Sequence, residues 1–225
     1  NAGGTPGSNQ LIASRTVTIK DPSPFGSFDQ VTSPAPARVN VAGWDVDPNV
    51  PTSAIAVHVY VGGPSGAAGA EGHAVMANGY RPDVPKVYPG VGDYHGLNVT
   101  FDTTKSGAVP VYFYGINRDG TPGHNVLLGS KTVTIAPVAL TVSVKPTYSS
   151  TRLKVNVGPD WASGNYSFQL QKLVDGAWST VGTYLTSGTL DTKTVNPTKG
   201  VYRVVLPQQR NATTGVTSTS VRITS

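Results

Sequence analysis

The chain contains no cysteine, a single glutamate and few charged residues, which make up 13% of the sequence. Without cysteine it forms neither a disulfide framework nor a thiolate zinc site. It has no apolar run of about 18 residues and no recognisable signal peptide, so we expect no membrane-spanning helix. Because Glu71 is the only glutamate, a pair of catalytic carboxylates would have to be built from aspartates.

Turn-forming and β-branched residues are abundant instead. Glycine (26) and proline (18) account for about a fifth of the chain, against an average nearer 12%. Threonine, serine and valine fill much of the remainder, and no stretch of a dozen residues follows a clean 3.6-residue period. Short strands joined by tight turns are therefore expected, and the sequence predicts an all-β protein.

An internal repeat divides the chain. Residues 1–19 match residues 117–135 at twelve of nineteen positions without a gap. We therefore expect residues 1–23 to be the C-terminal strand of a preceding repeat plus a linker, with "KDPSPFGSFD" as the connector. A complete repeat unit would then occupy residues 24–136. The segment Arg15–Ile19 would pair either with the domain that follows or with a second chain, since an unpaired strand edge attracts a partner.

Residues 137–225 contain seven strand-like segments about ten residues apart, the number typical of an immunoglobulin-like sandwich. In "KGVYRVVL", Tyr202 stands where a tyrosine corner would form, and Trp178 would cap the central hairpin. Together the two regions predict two consecutive antiparallel β-sandwich (immunoglobulin-like) domains.

Charge is distributed unevenly between these regions. Residues 1–136 carry eight Lys/Arg and nine Asp/Glu, whereas residues 137–225 carry nine and three, a formal charge of +6. Such a basic domain could contact anionic polymers, or its charge could serve only solubility. The candidate polyanion contacts are Lys154, Lys172, Lys193 and Arg203.

The long segment Gly79–Gly96 holds the candidate ligand residues. Eighteen residues without periodicity are unusual in a compact domain, and such loops are often functional. Sugar binding needs flat rings and planar polar groups, and this loop offers Tyr80, Arg81, Asp83, Tyr88, Asp93, Tyr94 and His95. The alternative is structural: Arg81 and Asp83 clamp the loop, while the tyrosines cover a sheet edge.

Motifs for catalysis are missing from the sequence, including paired metal-binding histidines, a nucleophile elbow and a phosphate loop. We expect no enzyme activity from this region and no cofactor. Asp45 and Asp47 are a weak candidate for a Ca²⁺ site, since carboxylates two apart on a strand point the same way. The alternative is that Asp47-Pro48-Asn49 caps a turn through side-chain to backbone hydrogen bonds.

Several motifs together resemble a repeat of exported actinobacterial proteins, often found beside peptidoglycan or other cell-wall hydrolases. They are "VNVAGWDVDPN", "IAVHVYVGG", "ANGYRPDV", "YHG", "VYFYGIN" and "LLGS". Many members of that family carry two cysteines where Tyr112 and Ser130 stand here, so the disulfide would be absent. Residues 137–225 are similar to bacterial immunoglobulin-like modules that follow such repeats.

The resemblance implies a secreted, non-catalytic accessory region that binds or spaces at the cell wall, with an upstream catalytic domain as one possibility. The implied partner is a cell-wall glycan or an anionic wall polymer. Neither nucleic acid nor a membrane is expected as a partner. A host-facing adhesin module and a purely structural stalk are the alternatives. Self-association through residues 1–19 would favour the adhesin.

Overall fold

The computed structural model describes residues 13–15, 22–148, 151–161 and 164–224, and these are almost entirely β-structure. They form two consecutive antiparallel β-sandwiches of immunoglobulin-like type, which confirms the predicted fold class. The predicted strand in residues 1–19, with the docking or self-association of Arg15–Ile19, lies outside the described residues apart from 13–15.

The first sandwich consists of eight strands in two sheets, with one short helix between β5 and β6. In chain order the elements are β1 (Phe25–Thr32), β2 (Arg38–Val46), β3 (Ala56–Val61), β4 (Glu71–Met76), β5 (Gly79–Tyr80), α1 (Val84–Val87), β6 (Tyr94–Asp102), β7 (Gly107–Gly115) and β8 (Val126–Ile135). The strand order is β1-β2-β6-β5 in sheet A and β4-β3-β7-β8 in sheet B.

Strand alternation explains the core of this sandwich. Val39 and Val41 in β2, and Val57 and Val59 in β3, are fully buried because every second side chain of these strands points between the sheets. Phe113 of β7 stacks on Phe28 of β1, with ring centroids 5.2 Å apart.

Strand β1 corrects the sequence interpretation, which treated "KDPSPFGSFD" as a connector. From Phe25 onward this segment is a strand paired with β2. The register shifts between Phe28 and Gln30, so Asp29 is an extra residue in a β-bulge. The bulge breaks the two-residue period by which a strand is recognised, and it turns Asp29 toward the loop that follows β5.

The second sandwich consists of β9 (Thr141–Thr147), β10 (Arg152–Gly158), β11 (Ser167–Val174), β12 (Ala177–Leu185), β13 (Thr192–Val195), β14 (Gly200–Leu206), β15 (Val216–Thr217) and β16 (Val221–Ile223). Sheet C has the order β13-β10-β9. Sheet D has the order β12-β11-β14, with β15 and β16 both paired to β14. The last predicted segment is split because Ser218 Oγ accepts a hydrogen bond from the Val204 amide at 2.9 Å.

Three side-chain positions bear on expectations from the sequence. Tyr202 Oη donates a 2.7 Å hydrogen bond to the Thr198 carbonyl oxygen, which confirms the tyrosine corner. Trp178 is half-buried beneath the Arg203 guanidinium, which lies 4.5 Å from the ring centroid. Tyr112 and Ser130 are direct partners in the β7–β8 ladder, so the two positions that carry cysteine in the resembling family face each other across adjacent strands.

Asn211 joins the two sandwiches at the linker that precedes β9. Its Oδ1 accepts a hydrogen bond from the Val138 amide at 3.0 Å. Its Nδ2 donates to the Lys105 carbonyl oxygen at 2.9 Å and to the Ala136 carbonyl oxygen at 3.1 Å. Asn211 is only 5% exposed. One side chain of the second sandwich therefore binds both the linker and the first sandwich.

Candidate functional site

Two tyrosines form an exposed pair at the edge of sheet A. Tyr80 of β5 lies opposite Tyr94 of β6, with ring centroids 5.4 Å apart and planes inclined by 48°. Their exposed fractions are 62% and 60%. Large aromatic side chains usually bury themselves, so an adjacent pair that stays in solvent marks a surface that can bind a ligand.

His95 does not belong to this surface, and its prediction as a ligand residue is wrong. The β5–β6 register pairs Gly79 with Gly96 and Tyr80 with Tyr94, which leaves His95 as the extra residue of a bulge. The bulge turns the imidazole inward, where it is fully buried and Nε2 lies 2.9 Å from the Pro51 carbonyl oxygen. This contact ties β6 to the turn after β2.

Arg81 clamps the loop, as the structural alternative predicted. Its Nε and Nη2 donate to the two carboxylate oxygens of Asp83 at 2.8 Å each, and Nη1 donates to Asp29 Oδ2 at 2.7 Å. The hydrogen bond from Arg81 lowers the pKa of Asp83 to about 2. The backbone amide of Arg81 also donates to the Asp93 carbonyl oxygen at 2.6 Å, while the Asp93 side chain is exposed.

The clamp depends on a close approach at Gly96. A Cβ added there would lie 2.5 Å from Arg81 Cγ, so the absent side chain leaves room for the arginine stem to cross β6. The clamp connects β1, the loop after β5 and the residue before β6. It therefore holds the two exposed tyrosines on a rigid base.

Tyr88 lines an apolar groove. Its ring packs on Phe25 at 5.0 Å and on Trp44 at 5.6 Å, measured between centroids, and it remains 41% exposed. The groove has a volume of about 550 Å³ and is lined by Phe25, Val46, Pro48, Pro51, Val87, Tyr88, Pro89, Gly90 and Val91. Trp44 lies opposite Gly96 in the β2–β6 ladder, which places this group beside the clamp.

Both aromatic groups lie at the end of sheet A where β1 and β6 begin. We use the name aromatic face for the two groups together, that is, for Phe25, Trp44, Tyr80, Tyr88 and Tyr94. The sequence interpretation missed Phe25 and Trp44. Trp44 could have been found from the alternation of its strand. It lies an odd number of residues after the inward-pointing Val39 and Val41, so its side chain points outward.

Polar side chains continue the surface of sheet A that carries Trp44. Asn40 Nδ2 donates to Asn98 Oδ1 at 2.9 Å and to Thr100 Oγ1 at 3.1 Å, in the β2–β6 pair. Planar amides and hydroxyls beside flat rings are the groups that pair with sugar hydroxyls and stack on sugar C–H surfaces.

Asp45 and Asp47 do not share a cation site. Strand β2 ends at Val46, so Asp47 no longer follows the alternation that would point both carboxylates the same way. Asp47 caps the turn, as the alternative predicted: its Oδ1 accepts from the Asn49 amide at 2.7 Å, and its Oδ2 accepts from the Arg118 amide at 2.9 Å. Among the described residues, no group of three or more His, Cys, Asp or Glu side chains is arranged to hold a metal ion.

Asp45 instead points into the sandwich beside Gly115 and is fully buried. Burial raises the pKa of its carboxyl to about 8. The Asp47 charge adds to this rise, and the backbone amides of Val46 and Ile116 partly offset it. At neutral pH the carboxyl is therefore mostly protonated.

The four predicted polyanion residues do not form one patch. Lys154 lies on sheet C, whereas Lys172 and Arg203 lie on sheet D. Lys172 Nζ donates to Thr198 Oγ1 at 3.1 Å, and Arg203 Nε donates to Gln171 Oε1 at 2.8 Å. Lys193 pairs with the buried Val155, which puts its side chain on the core-facing side of the edge strand β13. An inward lysine on an edge strand discourages pairing with another chain.

One hydroxyl–imidazole contact has the composition of a nucleophilic pair. Ser23 Oγ lies 2.9 Å from His124 Nδ1 and accepts the His124 backbone amide at 3.0 Å. Ser23 is only 5% exposed, and Asn49 Nδ2 holds the carbonyl oxygen of the adjacent Pro22 at 2.8 Å. The contact therefore anchors the start of the first sandwich.

No family model matches the sequence, and no curated protein matches it. Among solved structures, the chain is similar to a crystal structure of the FN1–FN3 domains of chicken CNTN1. The two are 14% identical, with a TM-score of 0.30 over 93% of this chain and 70% of that chain. No functional conclusion follows from a likeness of this size. None of the described residues belongs to a helix of the length and apolarity that a bilayer crossing requires.

Proposed function

We propose that this chain is a non-catalytic accessory region of a secreted bacterial surface protein, which binds glycan at the cell wall. The observation that carries the proposal is the exposed Tyr80–Tyr94 pair, held by the Arg81 clamp beside the apolar groove. The wall location is supported by the resemblance of the sequence motifs to wall-associated repeats.

Binding follows from the geometry of the aromatic face. The tyrosine rings stack on the apolar faces of sugar rings, and the amides of Asn40 and Asn98 exchange hydrogen bonds with their hydroxyls. Because the clamp already fixes the loop, little conformational entropy is lost on binding. One open face of this kind binds weakly, and several copies in one array would gain avidity through effective concentration.

Co-sedimentation with purified actinobacterial cell walls, intact and stripped of anionic polymer, tests this function. We expect the wild type to bind both preparations. Tyr80→Ala/Tyr94→Ala should weaken binding to stripped walls at least tenfold, about 1.4 kcal/mol. Tyr148→Ala is the matched control, because Tyr148 is 69% exposed in the second sandwich and should leave binding unchanged. Equal binding by the double variant and the wild type would overturn the proposal.

A purely structural stalk is the second candidate, and the buried Asn211 contact favours it. A junction held from both sides keeps two sandwiches in one orientation, which is what a spacer needs. If wild-type protein binds no wall preparation at any salt concentration, the stalk is the better account.

A further inference from the structure

The outer surface of sheet C places three cations together. Lys145 of β9 and Lys154 of β10 are direct cross-strand partners, and Arg152 lies two residues from Lys154 on the same surface. All three side chains are exposed, while Leu153 and Val155, which alternate with them, are buried. We call Lys145, Arg152 and Lys154 the basic face.

The basic face has no acidic neighbour on its sheet. Residues pointing outward around it are hydroxyl and amide side chains: Ser143, Thr147, Asn156, Thr192 and Thr194. Within the described ranges, the side-chain ammonium groups of Lys145 and Lys154 take part in no ion pair or hydrogen bond, and the three ion pairs found there lie in the first sandwich. Asp191, on the chain leading into β13, is fully buried, and its carboxylate accepts from Trp161 and Thr186.

Like charges directly opposite each other destabilise a sheet, since their Cβ atoms are only about 4.5–5.5 Å apart. A bound anion removes this repulsion. The third cation lies about 7 Å further along the strand, so the face suits successive anionic groups on one flexible chain. Its hydroxyls and amide can hydrogen-bond to both the anions and the hydroxyls of such a chain.

We infer that the basic face binds a flexible polyanion of the phosphodiester type, a polymer of alditol phosphates. The face lacks a large apolar side chain that could insert into a bilayer, which disfavours a lipid surface. The Arg152 guanidinium lies over one face of the neighbouring Tyr148 ring, 4.7 Å from its centroid, and would compete with a base for that face, which disfavours base stacking. The inference rests on the proposed function only for the location at the cell wall. The residues that bind the polyanion are those of the basic face and not those of the aromatic face.

The test measures the affinity of the full chain for poly(glycerol phosphate) at 50 and 200 mM NaCl. Each phosphate contact contributes about 0.7 to the slope of log affinity against log salt concentration, so three contacts predict that affinity falls about 20-fold over this fourfold change in salt. In Lys145→Gln/Lys154→Gln one contact remains. This variant should bind at least tenfold more weakly at 50 mM and lose only about threefold between the two salts.

Lys199→Gln/Arg222→Gln is the matched control, because it removes the same charge from exposed positions outside sheet C. It should keep affinity within threefold of wild type. Equal losses in the two double variants would overturn the inference, since bulk charge would then explain binding. Tighter binding to anionic phospholipid vesicles or to oligo(dT) would also overturn it. Tyr80→Ala/Tyr94→Ala should bind the polymer normally, so failure of the glycan proposal and failure of this one are distinguishable.

Discussion

Replacing Asp45 by asparagine should change how the stability of the first sandwich depends on pH. The carboxyl is fully buried, and its pKa is raised to about 8, mainly by burial. In the unfolded chain its pKa is about 3.9. The stability gained from the protonated form is fully present below the unfolded value and is lost as pH rises through about 8. The amide of the Asp45→Asn variant is neutral throughout, so its stability would not follow this course.

The magnitude follows from the two pKa values. Between pH 5 and pH 8 the wild type loses on the order of 3 kcal/mol through this carboxyl. Burial lowers the pKa of His73, so the contribution of His73 to the free energy of unfolding is lost as pH falls, opposite to that of Asp45. His73 is present in both wild type and Asp45→Asn, so its contribution is the same in the two proteins. The difference between wild type and Asp45→Asn therefore isolates the carboxyl.

Urea unfolding should be followed through Trp44 in a Trp161→Phe/Trp178→Phe background, so that only the first sandwich reports. Between pH 5 and pH 8, the free energy of unfolding of Asp45→Asn should rise by about 3 kcal/mol relative to that of wild type. Asp93→Asn, at an exposed carboxyl, should show no such change. A wild-type to Asp45→Asn difference that stays constant over this range would refute the reasoning, because the carboxyl would then titrate in the same way in both states.

Three further predictions concern the ladder, the junction and the basic face. Tyr112→Cys/Ser130→Cys should form a disulfide that closes a loop of about 19 residues and stabilises the first sandwich by about 3 kcal/mol. Dithiothreitol should remove this gain. An unchanged thermal midpoint in the oxidised protein would contradict the ladder register. Asn211→Ala should cost about 1–3 kcal/mol and broaden the distribution of interdomain distances in X-ray scattering, and an unchanged scattering profile would show that the linker does not need this contact. Lys154→Gln should raise stability at low salt by a few tenths of a kcal/mol, measured by urea unfolding, and a loss of stability would contradict the repulsion with Lys145.

The parts of the fold that the sequence predicted are those with local signals. Strands such as β3 and β10 alternate without interruption, so their existence and inward faces could be read directly. Strand β1 could not, because the bulge at Asp29 breaks its period. His95 was misplaced for the same reason, since a second bulge reverses the face on which it would otherwise lie.

The candidate site was only partly predictable because it is assembled from distant segments. The exposed tyrosines stood out as part of a long loop rich in aromatic residues. That Arg81 reaches Asp29, and that Tyr88 packs on Trp44, depends on how the loop folds back over sheet A. The basic face depends on the register of two strands, which places Lys145 opposite Lys154 and sends Lys193 to the other side of the sheet.

The central claim is that the aromatic face binds glycan, and mapping the ligand by NMR tests it most directly. Soluble glycan strands from stripped cell walls would be titrated into isotope-labelled protein. We predict the largest shifts at the indole of Trp44, at Tyr80 and Tyr94, and at the side-chain amides of Asn40 and Asn98, with sheets C and D unaffected. Shifts confined to the second sandwich, or none at saturating glycan, would contradict the claim.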